Sequence, residues 1–88
     1  MYNIVISNAF KKQIKKYLNK YKDKEPAVEY VIDLLIKDIQ NPELNTHKLK
    51  GKYKDYFSSR IDYSHRIVFR IEGKDLHLVA IGDHDTVY

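Results

Sequence analysis

Three short runs in the second half of the chain carry side chains able to move protons or hold negative charge. They are His47-Lys48-Leu49-Lys50-Gly51, then Ser59-Arg60-Ile61 leading into His65-Arg66-Ile67-Val68-Phe69, and last Gly82-Asp83-His84-Asp85-Thr86-Val87-Tyr88. Histidine, with an unperturbed pKa near 6.5, serves as either acid or base close to neutral pH, and each such proton transfer contributes roughly 10²- to 10⁴-fold to a rate. Arginine presents a planar fork that meets two phosphate oxygens at once. These are the parts needed to break an RNA phosphodiester. RNA supplies its own nucleophile, the 2′-hydroxyl, so an enzyme must provide a base for that proton, an acid for the leaving 5′-oxygen and a cation for the crowded phosphorane. The chemistry calls for no cofactor.

The rest of the composition bounds what such a site can sit on. A chain of 88 residues predicts one domain spanning 1–88, which buries roughly 60 to 65% of its unfolded surface and has no room for a second module. Sixteen Lys and Arg stand against 12 Asp and Glu, for a net charge of +4. The excess is concentrated: residues 47–70 hold four Lys and three Arg against two Asp, a distribution suited to phosphate. The absence of cysteine excludes a disulfide scaffold, a thiolate zinc site and a cysteine nucleophile, and fits a reducing compartment. No apolar run approaches the ~20 residues of a membrane span, and the first residues lack a signal-peptide pattern. A cytoplasmic, soluble protein is the expectation.

Elements to position these residues are legible from periodicity. Met1 to Ile6 reads as a short strand, and Ser7 or Asn8 offers an N-cap before Phe10, Ile14, Tyr17, Leu18 and Tyr21, which recur at helical spacing. Lysines fill much of that helix's other face. Pro26 suits the first turn of a second helix whose apolar side is Val28, Val31, Ile32, Leu35, Ile36 and Ile39. Asn41-Pro42 stops it, because proline disfavours a helical conformation in the residue before it.

From Tyr56 the period changes to two. Phe57, Ser59 and Ile61 alternate with Tyr56, Ser58, Arg60 and Asp62, and Ile67, Phe69 and Ile71 alternate with Arg66, Val68 and Arg70, which predicts strands with one wetter face. Asp62 to His65 and Glu72-Gly73-Lys74-Asp75 read as tight connections, and Asp75 to Ile81 as a final strand. The expected fold is α+β in the order β-α-α-β-β-β: an N-terminal strand, a helical hairpin and an antiparallel meander, with the helices packed on one face of the sheet. The opposite face is then the working face, rimmed by the loop from Asn41 to Tyr53 and by the C-terminal tail.

Taken in order, Lys48-Leu49-Lys50-Gly51, Ser59-Arg60-Ile61, His65-Arg66-Ile67-Val68-Phe69 and Gly82-Asp83-His84-Asp85 resemble the RelE/ParE superfamily of bacterial type II toxins, nearest to the YoeB- and YafQ-like mRNA interferases. The resemblance covers essentially the whole chain. It implies a RelE-like fold and a metal-independent endoribonuclease that cuts mRNA on the ribosome, in the A site of the 30S subunit, and is restrained by a cognate antitoxin protein. It also implies roles. His47 falls where near relatives place a glutamate or histidine and becomes the general base, His84 matches the C-terminal histidine of both groups and becomes the general acid, and Arg66 matches the arginine beside the scissile phosphate. Lys50, Lys52, Lys54 and Arg60 are expected to track the RNA backbone, and Tyr88 to stack on a base or orient the phosphate.

Departures from the pattern keep alternatives open. YafQ-like toxins carry a further histidine and an aspartate along the segment that here reads Arg60 and Ser64, whereas Ser-Arg-Ile and His-Arg are closer to YoeB. The division of labour between His47 and His84 is therefore open. A ParE-like poison of DNA gyrase shares the fold but lacks the acid-base set, and a degenerate relative would only bind antitoxin or RNA. Single residues also have plainer roles: His47 as a loop cap, Arg66 as a partner of Asp62, Asp83 or Asp85, the lysines as solubilising charge, and His65 and His77 as structural. No second histidine falls at helical i, i+4 spacing with His84, so a metal site is not expected.

Overall fold

Ser7 separates the first strand from the first helix. Its backbone is extended (φ −76°, ψ 162°) and its hydroxyl accepts the Phe10 N–H at 3.1 Å, which satisfies a donor that the helix start leaves without a partner. A computed structural model describes residues 1–83. In it the strand β1 (Asn3–Ile6) leads into helix α1 (Asn8–Lys20), a 3₁₀ turn at Lys22–Lys24 and helix α2 (Glu25–Lys37). Pro26 lies in the first turn of α2, where its missing N–H costs nothing. The helix ends at Lys37, two residues short of Ile39, which still packs half-buried against the core.

Four more strands follow: β2 (His47–Lys48), β3 (Phe57–Arg60), β4 (His65–Glu72) and β5 (Asp75–Asp83). They form one mixed sheet in the order β1-β5-β4-β3-β2, antiparallel except that β1 runs parallel to β5. The expected meander is present as β3-β4-β5. Its β4-β5 connection has Gly73 at φ 63°, a sign that two-residue hairpin loops require and that only glycine adopts without strain. The last strand continues to Asp83, and β5 carries one extra residue where the ladder shifts between Val68 and Phe69, a bulge of the kind that re-aims strands near their ends.

The rim expected as a loop from Asn41 to Tyr53 contains structure. Asn41 accepts the Glu43 N–H at 2.9 Å and opens a 3₁₀ turn at Pro42–Leu44, and β2 then pairs His47 with Ser58 and Lys48 with Phe57. Such a two-residue ladder has no hydrophobic alternation of its own. Only the partner strand creates it.

The two helices cover one face of the sheet. Phe10 and Tyr17 of α1 and Val28, Val31 and Leu35 of α2 bury themselves against Ile67, Phe69, Leu76, Leu78 and Ile81, with Leu44 entering the same core. The face opposite is less wet than its alternation suggests, since Val68 is only 3% exposed while lying outside that core cluster.

Leu44 is fully buried and is the apolar anchor of the segment leading to His47. Leu44→Ala is expected to destabilise the protein by about 2 to 5 kcal/mol through the cavity left behind. Urea unfolding measures it, and an unchanged midpoint would show that this segment is not pinned by its leucine.

Candidate active site on the open face

Strand register decides which side chains share the face away from the helices. His47, Ser58, Val68 and Ala80 form one cross-strand row, and Arg60, Arg66 and Gly82 form the next. Neighbours in a row project to the same side and residues two apart do likewise. Register thus places His47 and Arg66 on one face, from β2 and β4, with Arg60 at the end of β3 beside them.

Arg66 is half-buried and held at three points. Its Nε donates to the Ser58 hydroxyl, and its Nη2 donates to the carbonyl oxygens of Asn45 at 2.8 Å and Ser58 at 3.0 Å. All three acceptors are uncharged, and among the described residues no hydrogen bond is formed by Nη1. Asp62, the nearest acid in sequence, is occupied elsewhere: Lys24 lies 2.9 Å from it and the N–H groups of Ser64 and His65 donate to it.

The Asn45 carbonyl reaches Arg66 because of its backbone. Asn45 is the one non-glycine residue at positive φ among those described (φ 45°, ψ 52°), and asparagine tolerates this left-handed conformation better than most. Leu44 anchors the preceding turn, and Thr46 and Ser59 join their hydroxyls at 2.6 Å. His47 therefore starts β2 from a fixed base, with its imidazole exposed.

The cations fall into separate groups. Lys50, Lys52 and Lys54 are exposed on the excursion beyond β2, which turns at Gly51 (φ 67°) and is closed by Leu49 N–H donating to Tyr56 at 2.9 Å. Arg60 is exposed and borders a groove against α2 that includes Tyr30 and Tyr63. His84 and Tyr88 lie outside the described residues. Among the described residues no group of three His, Asp or Glu side chains gathers in a way that would hold a metal ion, and no helix is long and apolar enough to cross a membrane.

Residues 2–88 match the family described as "Bacterial toxin of type II toxin-antitoxin system, YafQ". The chain belongs to the YafQ family. Similar solved structures agree on the fold. A copper-bound mutant toxin from Helicobacter pylori is 26% identical with a TM-score of 0.84, all of both chains being covered. YafQ in the Escherichia coli DinJ-YafQ toxin-antitoxin complex is 20% identical with a TM-score of 0.82, covering 99% of this chain and 97% of that one. The YoeB-YefM complex from Staphylococcus aureus is 20% identical with a TM-score of 0.71, covering 96% and 98%. No curated protein matches the chain. As a YafQ-family member the protein is a toxin of a type II toxin-antitoxin system, with the RelE-like α+β fold.

Beneath the face of this YafQ-family toxin lies a polar cluster that sequence patterns did not single out. His65 is 6% exposed, its Nδ1 lies 2.9 Å from the Tyr17 hydroxyl, and its ring packs against Tyr17 and Tyr21 with centroids 5.3 and 4.4 Å away. Burial first, and then the charge of Asp62, push the Tyr17 phenol well above its ordinary pKa, so it stays neutral near pH 7 and shares one hydrogen bond with Nδ1, which also lies 3.5 Å from the Asp62 carboxylate. His65 directly precedes Arg66 and pairs with Asp83, which ties both strand ends to α1. The only sequence signal was a histidine beside a turn. Its aromatic partners sit 44 and 48 residues earlier.

Ser58 was likewise unassigned, because a serine in a strand carries no mark of its distant arginine. Ser58→Ala removes the acceptor of Arg66 Nε, at an expected cost of about 1 to 3 kcal/mol. Thermal unfolding reads this, and an unaltered midpoint would mean that solvent replaces the hydroxyl without loss.

Asp62 supplies a pH test. Burial alone would raise its pKa, but the Lys24 hydrogen bond, the backbone N–H groups of Ser64 and His65 and the charge of His65 outweigh it and hold the carboxyl below its ordinary value. A depressed carboxyl contributes stability that is fully present above its unfolded pKa of about 4 and is lost as pH falls through the lower folded value. The stability difference between wild type and Asp62→Asn is expected to shrink below about pH 4. A difference that stays constant down to pH 2 would remove Asp62 from the acid response.

Proposed function

We propose that this toxin is an endoribonuclease that cleaves mRNA on the ribosome without a metal ion, in the cytoplasm, and that a cognate antitoxin restrains it. The observation that carries the reading is the fixed Arg66 guanidinium on a sheet face shared with the exposed His47, in a chain of the YafQ family. A cation held, among the described residues, by neutral acceptors is prepared for phosphate before substrate arrives, which is the form that electrostatic stabilisation of a phosphorane takes.

In this reading His47 removes the 2′-hydroxyl proton, the oxygen attacks phosphorus in line, and Arg66 offers Nη1 to the non-bridging oxygens as their charge grows. His84 then protonates the leaving 5′-oxygen, yielding a 2′,3′-cyclic phosphate and a free 5′-hydroxyl. His84 and Tyr88 enter by sequence resemblance. Lys50, Lys52, Lys54 and Arg60 would hold flanking phosphates, with affinity that falls as salt rises. An antitoxin partner follows from the family description, and relatives solved as DinJ-YafQ and YoeB-YefM complexes supply the precedent.

The test is induced expression in a bacterial host, with mRNA 5′-ends mapped within minutes for wild type, Arg66→Ala and His84→Ala. New ends inside translated codons for wild type, reduced by about 10² or more in either mutant, are the expected result. Full toxicity in a mutant would remove that residue from the chemistry. Growth arrest with intact mRNA and damaged DNA would replace the nuclease reading with gyrase poisoning.

A further inference from the structure

The lysines of α1 do not form one undivided solvated surface. Lys12, Lys16 and Lys20 recur every four residues and so lie along one side of the helix, about 6 Å apart in rise. They line a groove of about 480 Å³ whose other wall is Ile81, Gly82 and Asp83 at the end of β5. Lys11 and Lys15, on the same helix, do not border it. Gln13 closes the groove against β5 by accepting the Ile81 N–H, so the helix and strand form a joined channel. Among the described residues no carboxylate forms an ion pair with Lys12, Lys16 or Lys20, and Asp83 is the single acid lining the groove. Three lysines against one carboxylate, beside the rings of Tyr17 and Tyr21, leave the concave wall net positive, which focuses potential and attracts a chain of the opposite sign.

Its position gives that chain an identity. Gly82 pairs with Arg66 across the β4-β5 ladder, so the groove opens beside the end of the row that carries the arginine. The lysines at 48, 50, 52 and 54 sit at the β2 edge, on the opposite side of Arg66. A polyanion entering over β2 and crossing Arg66 on the open face would round the end of β5 at Gly82, which pairs with Arg66 and also lines the groove, and so reach the α1 groove on the helix side.

We propose that single-stranded RNA follows this path, its sugar-phosphate backbone held beyond the cut by Lys12, Lys16 and Lys20. The proposal rests on the endoribonuclease reading and names a second phosphate-binding subsite for it. Contacts of this kind add affinity and salt dependence without sequence preference.

The experiment uses the full chain and a fluorescent 12-nucleotide RNA that is 2′-O-methylated throughout, so that no attacking hydroxyl is present. Anisotropy is measured across a salt series for wild type, for Lys12→Gln/Lys16→Gln/Lys20→Gln, and for Lys11→Gln/Lys15→Gln/Lys22→Gln, which removes equal charge from outside the groove. Circular dichroism confirms that the exposed substitutions leave the helix intact. The groove variant is expected to flatten the slope of log K against log salt by about 2, three charges at about 0.7 each, with a much smaller change in the other variant. Equal changes in both would reduce the effect to net charge and overturn the path, as would no change in either. An unaltered RNA slope with weakened antitoxin binding would assign the groove to the antitoxin instead. Failure of wild type itself to bind the RNA at low salt would count against the endoribonuclease reading, a result separable from failure of the groove alone.

Discussion

The central strand β4 has to serve two faces at once. It lies third in the five-strand order, between β3 and β5, with Ile67 and Phe69 beneath the helices and Arg66 and Arg70 on the other side. A slip of one residue would exchange these sets, placing guanidinium groups in the core and leaving large apolar side chains in water. Burial of the helix-facing row is therefore what holds Arg66 on the open face. The apolar core and the candidate chemistry are two readings of one register.

The remaining elements work outward from that strand. β3 supplies Ser58, whose hydroxyl and carbonyl both receive Arg66, and β2 adds His47 beside Ser58. The left-handed backbone at Asn45 turns a third acceptor toward the same guanidinium. Behind the sheet, His65 packs against Tyr17 of α1 and Tyr21 at its C-terminal cap, at the strand end from which Arg66 projects. Neutral hydrogen-bond acceptors fix the cation in place, and among the described residues no carboxylate forms an ion pair with it, an arrangement suited to meeting an anion.

Membership of the YafQ family and this geometry point the same way, although they are separate observations. One comes from the pattern of the whole chain, the other from the register of three strands. Basic residues lie on both sides of Arg66, at the β2 edge and along α1.

Much of the architecture was legible in the sequence because it depends on local periodicity. The helical hairpin, its N-cap at Ser7, the change to period two after Tyr56 and the glycine turn before β5 are each written in neighbouring residues. His47, Arg60 and Arg66 could be singled out by type and order for a similar reason. What only the tertiary structure decided is pairing across distance. No local pattern announces that His47 and Lys48 will form an edge strand, that Ser58 and the Asn45 carbonyl will share one guanidinium, or that a turn histidine will be buried against tyrosines from the first helix. Hydrogen bonds of this kind join residues whose own neighbourhoods are indifferent to them, and they exist only once burial of the core has set the register.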